Sequence, residues 1–584
     1  MQWKASTLAL LISASLITPA SFAAQSTDNI APEAATGLTQ QNLVEGKEWM
    51  IASANHYASE AGAEMLRKGG NAIDAMVATQ LVLGLVEPQS SGIGGGAFLV
   101  YWDAKKKALT TFDGRETAPL EVTPQLFQDD KGQPLKFYDA VVGGRSVGTP
   151  GTIKLMWDTH QKLGKLDWKT LFEPAIKLAK DGFTVSPRLA TLVKNDQEYL
   201  QRSPAAKTYF FNQDGSPITA GQDLKNPDYA KTLQAISDNG AVAFYQGDIA
   251  KRIVNTVRNE TANPGVLNLI DFTAYQVKER EPVCAPYRQY SICGMGPPSS
   301  GALTLGQILG MLSHYPLSDM GKDDVQSWKL LGDASRLAFA DRGKYMADSD
   351  YVPMPTQGLL DNDYLKKRAE LLKGKEALTE TSAGSPPWSH AHNYALDEAI
   401  ELPSTSHFSI VDKDRNVVSI TTTIENGFGS RLMVGGFLLN NELTDFSFRS
   451  QVDGVPIANR IEPGKRPRSS MAPTIVMENN KPYMAIGSPG GSQIIGYVAK
   501  TLVAHLDWDL NLQQAIDLPN MNNRFGAFEI EKDTAAEAWG PKLEKLGFTI
   551  QVKELNSGVQ AIKLQGDSLI GAADPRREGK VIAQ

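Results

Sequence analysis

Polar and apolar residues alternate along two runs on either side of residue 414, and this alternation predicts a β-hairpin. Successive side chains of a strand point to opposite faces. One face would carry Phe408, Ile410, Val418, Ile420 and Ile424, with Thr422 as its one polar member. The other would carry Thr405, His407, Ser409, Ser419, Thr421, Thr423 and Glu425. A five-residue turn, Asp412-Lys-Asp-Arg-Asn416, pairs Ser409 with Ser419, His407 with Thr421 and Thr405 with Thr423. Thr405 then has a hydroxyl directly across the ladder. Elsewhere, residues 55–86 and 150–200 carry helical spacing, the first broken at Gly69-Gly70. Residues 97–113 read as a strand pair around Asp103-Ala-Lys-Lys-Lys107, residues 265–300 as strand and turn, and residues 305–345 as helix. Residues 374–404 hold Gly374, Gly384, Ser385-Pro-Pro387 and Pro403, and read as an accessible, deformable linker that ends at Thr405.

A Thr at the start of a strand becomes a nucleophile if the chain is cut just before it. The freed α-amino group, with a pKa of about 7.7–8, then serves as base for the Thr's own hydroxyl. Against this stands the ordinary reading, a hairpin with one solvated face, because Thr and Ser are common on wet strand faces.

The segment Thr405-Ser-His-Phe-Ser-Ile410, with Val418-Ser-Ile-Thr-Thr-Thr-Ile-Glu425 and Phe428-Gly429, resembles the signature of the γ-glutamyltranspeptidases, which are N-terminal-nucleophile hydrolases. Further matches follow in family order from about residue 45 to the C-terminus. They are Gly69-Gly-Asn-Ala-Ile-Asp-Ala75 with Ser91-Gly-Ile-Gly-Gly-Gly-Ala-Phe98, Asp113-Gly-Arg-Glu-Thr-Ala-Pro119, Lys465-Arg-Pro-Arg-Ser-Ser-Met471 with Gly487-Ser-Pro-Gly-Gly-Ser492, and Asp574-Pro-Arg576. Two departures stand out. Arg415 fills a turn position where the family usually has Gly, at a conformational cost if its φ is positive. Ser406 stands where many members have a second Thr.

The resemblance implies a four-layer αββα sandwich (α/β, or α+β) shared by two chains cut from one precursor: a large subunit, 24–404, and a small subunit, 405–584. Thr405 would attack the Ser404 carbonyl during maturation and the γ-amide carbon of the substrate during turnover. Thr423 would tune its hydroxyl, and the N–H groups of Gly490 and Gly491 would form the oxyanion hole. Arg115, helped by Ser469 and Ser470, matches the residues that hold the substrate α-carboxylate. Glu425, Glu442 and Asp445 match those that hold its α-amino group, and here all three are acidic. His407 reads as a structural strand histidine, because the family's base is the α-amino group. The implied substrates are glutathione and other γ-glutamyl amides, with water, amino acids or peptides as acceptors and no metal or organic cofactor. A cephalosporin or glutaryl acylase on the same scaffold is the alternative, since a glutaryl group lacks the α-amine. A non-enzymatic binding protein on this fold would have little reason to keep Thr405 and Thr423 together. The segment from Phe448 to Glu462, a lid in some members, is moderately short and lacks Tyr, which suggests an open pocket.

Composition narrows this reading only at its edges. The 584 residues carry a net charge of −7 with no long basic run, so nucleic acid is an unexpected partner. Lys4, the apolar run from Leu8 to Ile17 and Ser21-Phe-Ala23 read as a signal peptide cut after Ala23, with the mature protein periplasmic or secreted. No later segment is apolar enough to span a membrane. Gly92-Ile-Gly-Gly-Gly96 follows a helical stretch, the wrong order for a dinucleotide loop. Cys284 and Cys293 flank a short hairpin-like stretch, and either a disulfide or two separate buried thiols fits the sequence.

Overall fold

The structure, a computed structural model, describes residues 38–584 apart from Ala391, Glu398, Ile400 and Pro403. The expected signal peptide and its cleavage site lie outside the described residues.

Among the described residues, fourteen strands build the two large sheets. In chain order they are β1 (Val44–Gly46), β2 (Met50–Ser53), β3 (Gly96–Asp103), β4 (Ala108–Gly114), β5 (Lys278–Arg280), β6 (Val283–Tyr287), β7 (Tyr290–Gly294), β8 (Ser406–Val411), β9 (Val417–Thr423), β10 (Thr474–Glu478), β11 (Lys481–Gly487), β12 (Gln560–Gln565), β13 (Ser568–Ala573) and β14 (Lys580–Ala583). One sheet runs β14-β2-β8-β9-β3-β4-β5, the other β1-β13-β12-β11-β10-β7-β6. Neighbouring strands in both are antiparallel. The expected hairpin is β8–β9, and its register is the expected one, with His407 opposite Thr421 and Ser409 opposite Ser419.

Helices cover the outer face of each sheet. On the first lie α1 (His56–Arg67), α2 (Ala72–Val86), α3 (Thr152–Leu163), α4 (Trp168–Asp181) and α5 (Pro227–Asn239), packed with Phe408, Ile410, Val418 and Ile420 in one core. All of α2 is buried, as its apolar circumference requires. Its start is fixed by the Asn71 side chain, which accepts from the backbone of Ile73 and Asp74. On the second sheet lie α6 (Gly301–Leu312), α7 (Val325–Tyr345) and α8 (Ile494–Leu506), packed with Ile292, Val476, Met484 and Ile486. The four-layer αββα order is therefore observed. Among the described residues no helix is long and apolar enough to cross a membrane.

The hairpin's second face is not solvated. It looks across the gap between the sheets. At one end Val411 and Val417 join an apolar inter-sheet cluster with Ile475, Ala485 and Ile562. Toward the other end the face is polar and every group is bonded. Ser409 Oγ donates to Gln560 O (3.2 Å), Ser419 Oγ donates to Ile486 O (3.2 Å), and Thr474 N donates to Ser419 Oγ (3.0 Å). His407 bonds Thr421 Oγ1 (2.8 Å) and Ser409 Oγ (3.2 Å), and lies against Gly487, where a Cβ would come within 2.3 Å of its ring. Burial pushes the His407 pKa down to about 3, so it is a neutral structural residue.

Arg415 has φ +67°, the strained region expected where the family has Gly. Its guanidinium donates to Lys47 O (2.9 Å) and Asp567 O (2.8 Å), which helps hold it there. Cys284 and Cys293 pair across β6–β7 and are disulfide-bonded.

The depressed His407 pKa implies a pH dependence of stability. The unfolded chain binds the proton below about pH 6.5, and the folded chain only near pH 3. The contribution is complete above pH 6.5 and is lost as pH falls through that window. The melting temperature of the wild type should drop on acidification from pH 6.5, and His407→Asn should show a shallower drop. Equal slopes would contradict the assignment.

Candidate active site

The hairpin ends at a small cavity. Its walls bring together Arg115, Thr405, Thr423, Glu425, Glu442, Asp445, Ser469, Ser470 and Gly491, all residues expected from sequence. Gly490 is outside that lining and packs against Tyr497, although it adjoins Gly491.

Thr405 Oγ1 donates to Thr423 Oγ1 at 3.3 Å, and Thr423 Oγ1 also accepts from Glu425 N at 2.8 Å. The strand start is clamped on both sides of Thr405. Ser404 Oγ donates to Gln89 O (2.8 Å), and Ser406 Oγ donates to the buried carboxylate of Glu87 (2.9 Å). Arg577, just past the Asp574-Pro-Arg576 motif, donates to Thr405 O (3.0 Å). His407 makes its own bonds with Thr421 and Ser409, so it offers the Thr405 hydroxyl no base.

Gly490 (φ +134°) and Gly491 (φ +57°) form the turn that enters α8. The Leu402 carbonyl oxygen lies 2.5 Å from where a Gly491 Cβ would stand, so only glycine lets the chain upstream of Thr405 pass.

Three carboxylates converge on one wall. Glu442 and Asp445 both accept from Arg115, Asp445 at 2.5 Å. Asp445 Oδ1 is buried and finds no hydrogen-bond donor among the described residues, while Glu442 meets the Glu116 carboxyl, whose pKa burial raises to about 7. Glu425 accepts from Asn441 Nδ2 and, at 3.4 Å, from Leu402 N. Burial raises all three pKa values well above the usual range, with repulsion from Asp445 adding at Glu425, from Glu116 and Glu425 at Glu442, and from Glu401 at Asp445. One guanidinium thus faces an excess of buried acids, an arrangement that lacks a second cation.

The linker's last residues are not an accessible loop. Glu401 and Leu402 are buried in the cavity wall, and Leu402 packs with Phe137 and Val141. Glu401, Leu402, Met471 and Ile494 are lining residues that the sequence reading missed, and nothing in their spacing announces them. The segment from Phe448 to Glu462 holds a small hairpin, Gln451–Val452 with Val455–Pro456, and its Phe448 stacks on Phe127 with ring centres 4.8 Å apart. The absence of Tyr therefore does not leave it without an aromatic ring.

The γ-glutamyltranspeptidase family model matches residues 58–584. The chain belongs to the γ-glutamyltranspeptidase family. It is 38% identical over 553 residues to the glutathione hydrolase proenzyme of Bacillus subtilis (strain 168), covering 92% of each chain. It is 34% identical over 559 residues to that of Escherichia coli (strain K12), covering 94% of each. Among solved structures, cephalosporin acylase from Bacillus halodurans superposes with a TM-score of 0.83 at 26% identity, covering 95% of this chain and 99% of that one. Helicobacter pylori γ-glutamyltranspeptidase gives 0.55 at 33% identity, covering 62% of this chain and 99% of that one. The acylase shares the scaffold, while the higher sequence identities are to glutathione hydrolases.

Removing the Thr423 hydroxyl tests the hydroxyl pair. A hydrogen bond that gains charge is worth about 1.5–3 kcal/mol, or about 10–150-fold in rate. Thr423→Val should slow conversion of the intact chain, followed on a gel, by that order. An unchanged rate would remove Thr423 from the chemistry.

Proposed function

We propose that this protein is a γ-glutamyltransferase and glutathione hydrolase, made as a precursor that cuts itself between Ser404 and Thr405. The Thr405 hydroxyl attacks the Ser404 carbonyl, the peptide nitrogen leaves as the α-amine of Thr405, and water hydrolyses the ester. The products are a large subunit, 24–404 after export, and a small subunit, 405–584. In turnover the freed amine takes the proton of the Thr405 hydroxyl, which attacks the γ-amide of glutathione or a related amide. The leaving amine departs, and water or an acceptor amino acid or peptide releases the γ-glutamyl group. Gly491 lies against Leu402, just upstream of the Ser404–Thr405 bond, and Gly490 adjoins it, which supports their role at the developing oxyanion.

The observation that carries the substrate assignment is the excess of acid over cation on this wall. Asp445 gives one oxygen to Arg115 and leaves the other without a donor, beside Glu425 and Glu442 in the cavity that holds Thr405. A donor ammonium supplies the missing cation, and a glutaryl group does not. The disulfide and the Ser21-Phe-Ala23 site support export to an oxidising compartment.

Two measurements check this. Thr405→Ala should remain one chain on a denaturing gel, and splitting of that variant would move the nucleophile elsewhere. Purified mature protein should hydrolyse a γ-glutamyl anilide at least about a hundredfold faster than the glutaryl anilide, because a buried acid left unpaired costs about 3 kcal/mol. Equal or reversed preference would favour the acylase reading.

A further inference from the structure

Three buried charged side chains, Glu87, Arg188 and Arg577, stand behind Thr405, and none of them lines the cavity. Arg577 touches Thr405 itself. Its Nη1 donates to Thr405 O (3.0 Å) and its Nη2 to Asn556 O (3.4 Å). Its stem is wedged against Gly558, where a Cβ would come within 2.7 Å of Arg577 Cδ and 2.6 Å of Pro489 Cγ. The loop that carries Gly558 is tied down by Asp574, whose Oδ2 accepts from Ser557 Oγ (2.6 Å) and Val559 N (3.0 Å). Arg577 is thus held in one place. Glu87 accepts from Ser406 Oγ and lies 3.6 Å from Arg188 Nε. Burial raises the Glu87 pKa, and Arg188 and Arg577 work against that rise.

A cut at 404–405 leaves the Arg577 contact in place, because both partners lie on the downstream side of it. The freed amine and the carbonyl that Arg577 holds share one Cα, so the guanidinium stands close to the amine. The cavity side pulls the other way. Glu425, Glu442 and Asp445 line the same cavity as Thr405, and Arg115 is already paired with the last two. Glu401 is paired with Arg342 and Arg468 and belongs to the segment upstream of the cut. His407, two residues on, is neutral. Nearby acids favour the ammonium form of an amine, which has no lone pair to take the hydroxyl proton. A guanidinium, which keeps its charge in proteins, favours the free amine.

We propose that Arg577 is a positioning residue for the reaction: it fixes the Thr405 backbone and, by its permanent charge, keeps the freed α-amine in the unprotonated form that serves as base. The inference rests on the reading of Thr405 given above and adds to it the group that makes its amine usable beside an acidic wall.

The test is the pH dependence of kcat/KM for a γ-glutamyl anilide, which reports ionisations of the free enzyme, in mature wild type, Arg577→Lys and Arg577→Gln. Arg577→Gln should move the acid-side midpoint up by about one unit, a loss of about tenfold below the wild-type midpoint that shrinks as pH rises. Arg577→Lys keeps the charge and should undo most of the shift. A loss that is uniform across pH with an unmoved midpoint, or a shift as large in Arg577→Lys, would overturn the proposal. If Arg577→Gln stays uncut, wild type decides. Competitive labelling of its amines with acetic anhydride, read on the fragment that begins at Thr405, should give a midpoint at or below about 8, the value of a free α-amine. A higher midpoint would overturn the proposal. Recovery of that fragment, with turnover of the anilide by wild type, keeps the reading of the enzyme itself intact in either case.

Discussion

A slip of one residue in the pairing of β8 with β9 would turn Thr405 and Thr423 to opposite faces of their sheet, and the site would not exist. Register is therefore the constraint on which the rest depends. It is set twice. On the outer face Phe408, Ile410, Val418 and Ile420 must meet the helices. On the inner face Ser409, Ser419 and His407 must find partners on β9 and on the second sheet. A slip would bury hydroxyls in the helical layer and leave backbone partners of the opposite sheet unmet, each at a cost of about 1–3 kcal/mol.

The same polar seam explains why two sheets are needed for one site. The first sheet supplies Thr405 and Thr423. The loop that enters β10 supplies Ser469 and Ser470, and the loop that leaves β11 supplies Gly491. The acid wall comes from the short turn Glu442–Asp445, and its counterion Arg115 follows β4. The upstream chain threads between these parts, with Leu402 against Gly491 and Glu401 on Ser470. The chain upstream of Thr405 thus occupies part of the cavity wall.

The sequence carried the hairpin register because it depends only on a period of two and a turn length. It carried most site residues because the motif Lys465-Arg-Pro-Arg-Ser-Ser-Met471 and the acids near Asp445 resemble a known family. The fate of the polar face was not legible. Alternation distinguishes two faces, yet a polar face against water and one against a second sheet read alike, and only the contacts to Gln560, Ile486 and Thr474 decide. Glu401 and Arg342 were also hidden. Glu401 lies in a stretch whose composition reads as linker, and Arg342 lies on a helix far away in sequence. Their pairing is purely tertiary.

If Thr405 carries the γ-glutamyl group, mass spectrometry of the mature protein, acid-quenched during turnover of a γ-glutamyl donor, should find it there. The expected fragment begins at Thr405 and gains the mass of one γ-glutamyl residue on Thr405 itself. A fragment that begins elsewhere, or a label on another residue, would contradict it.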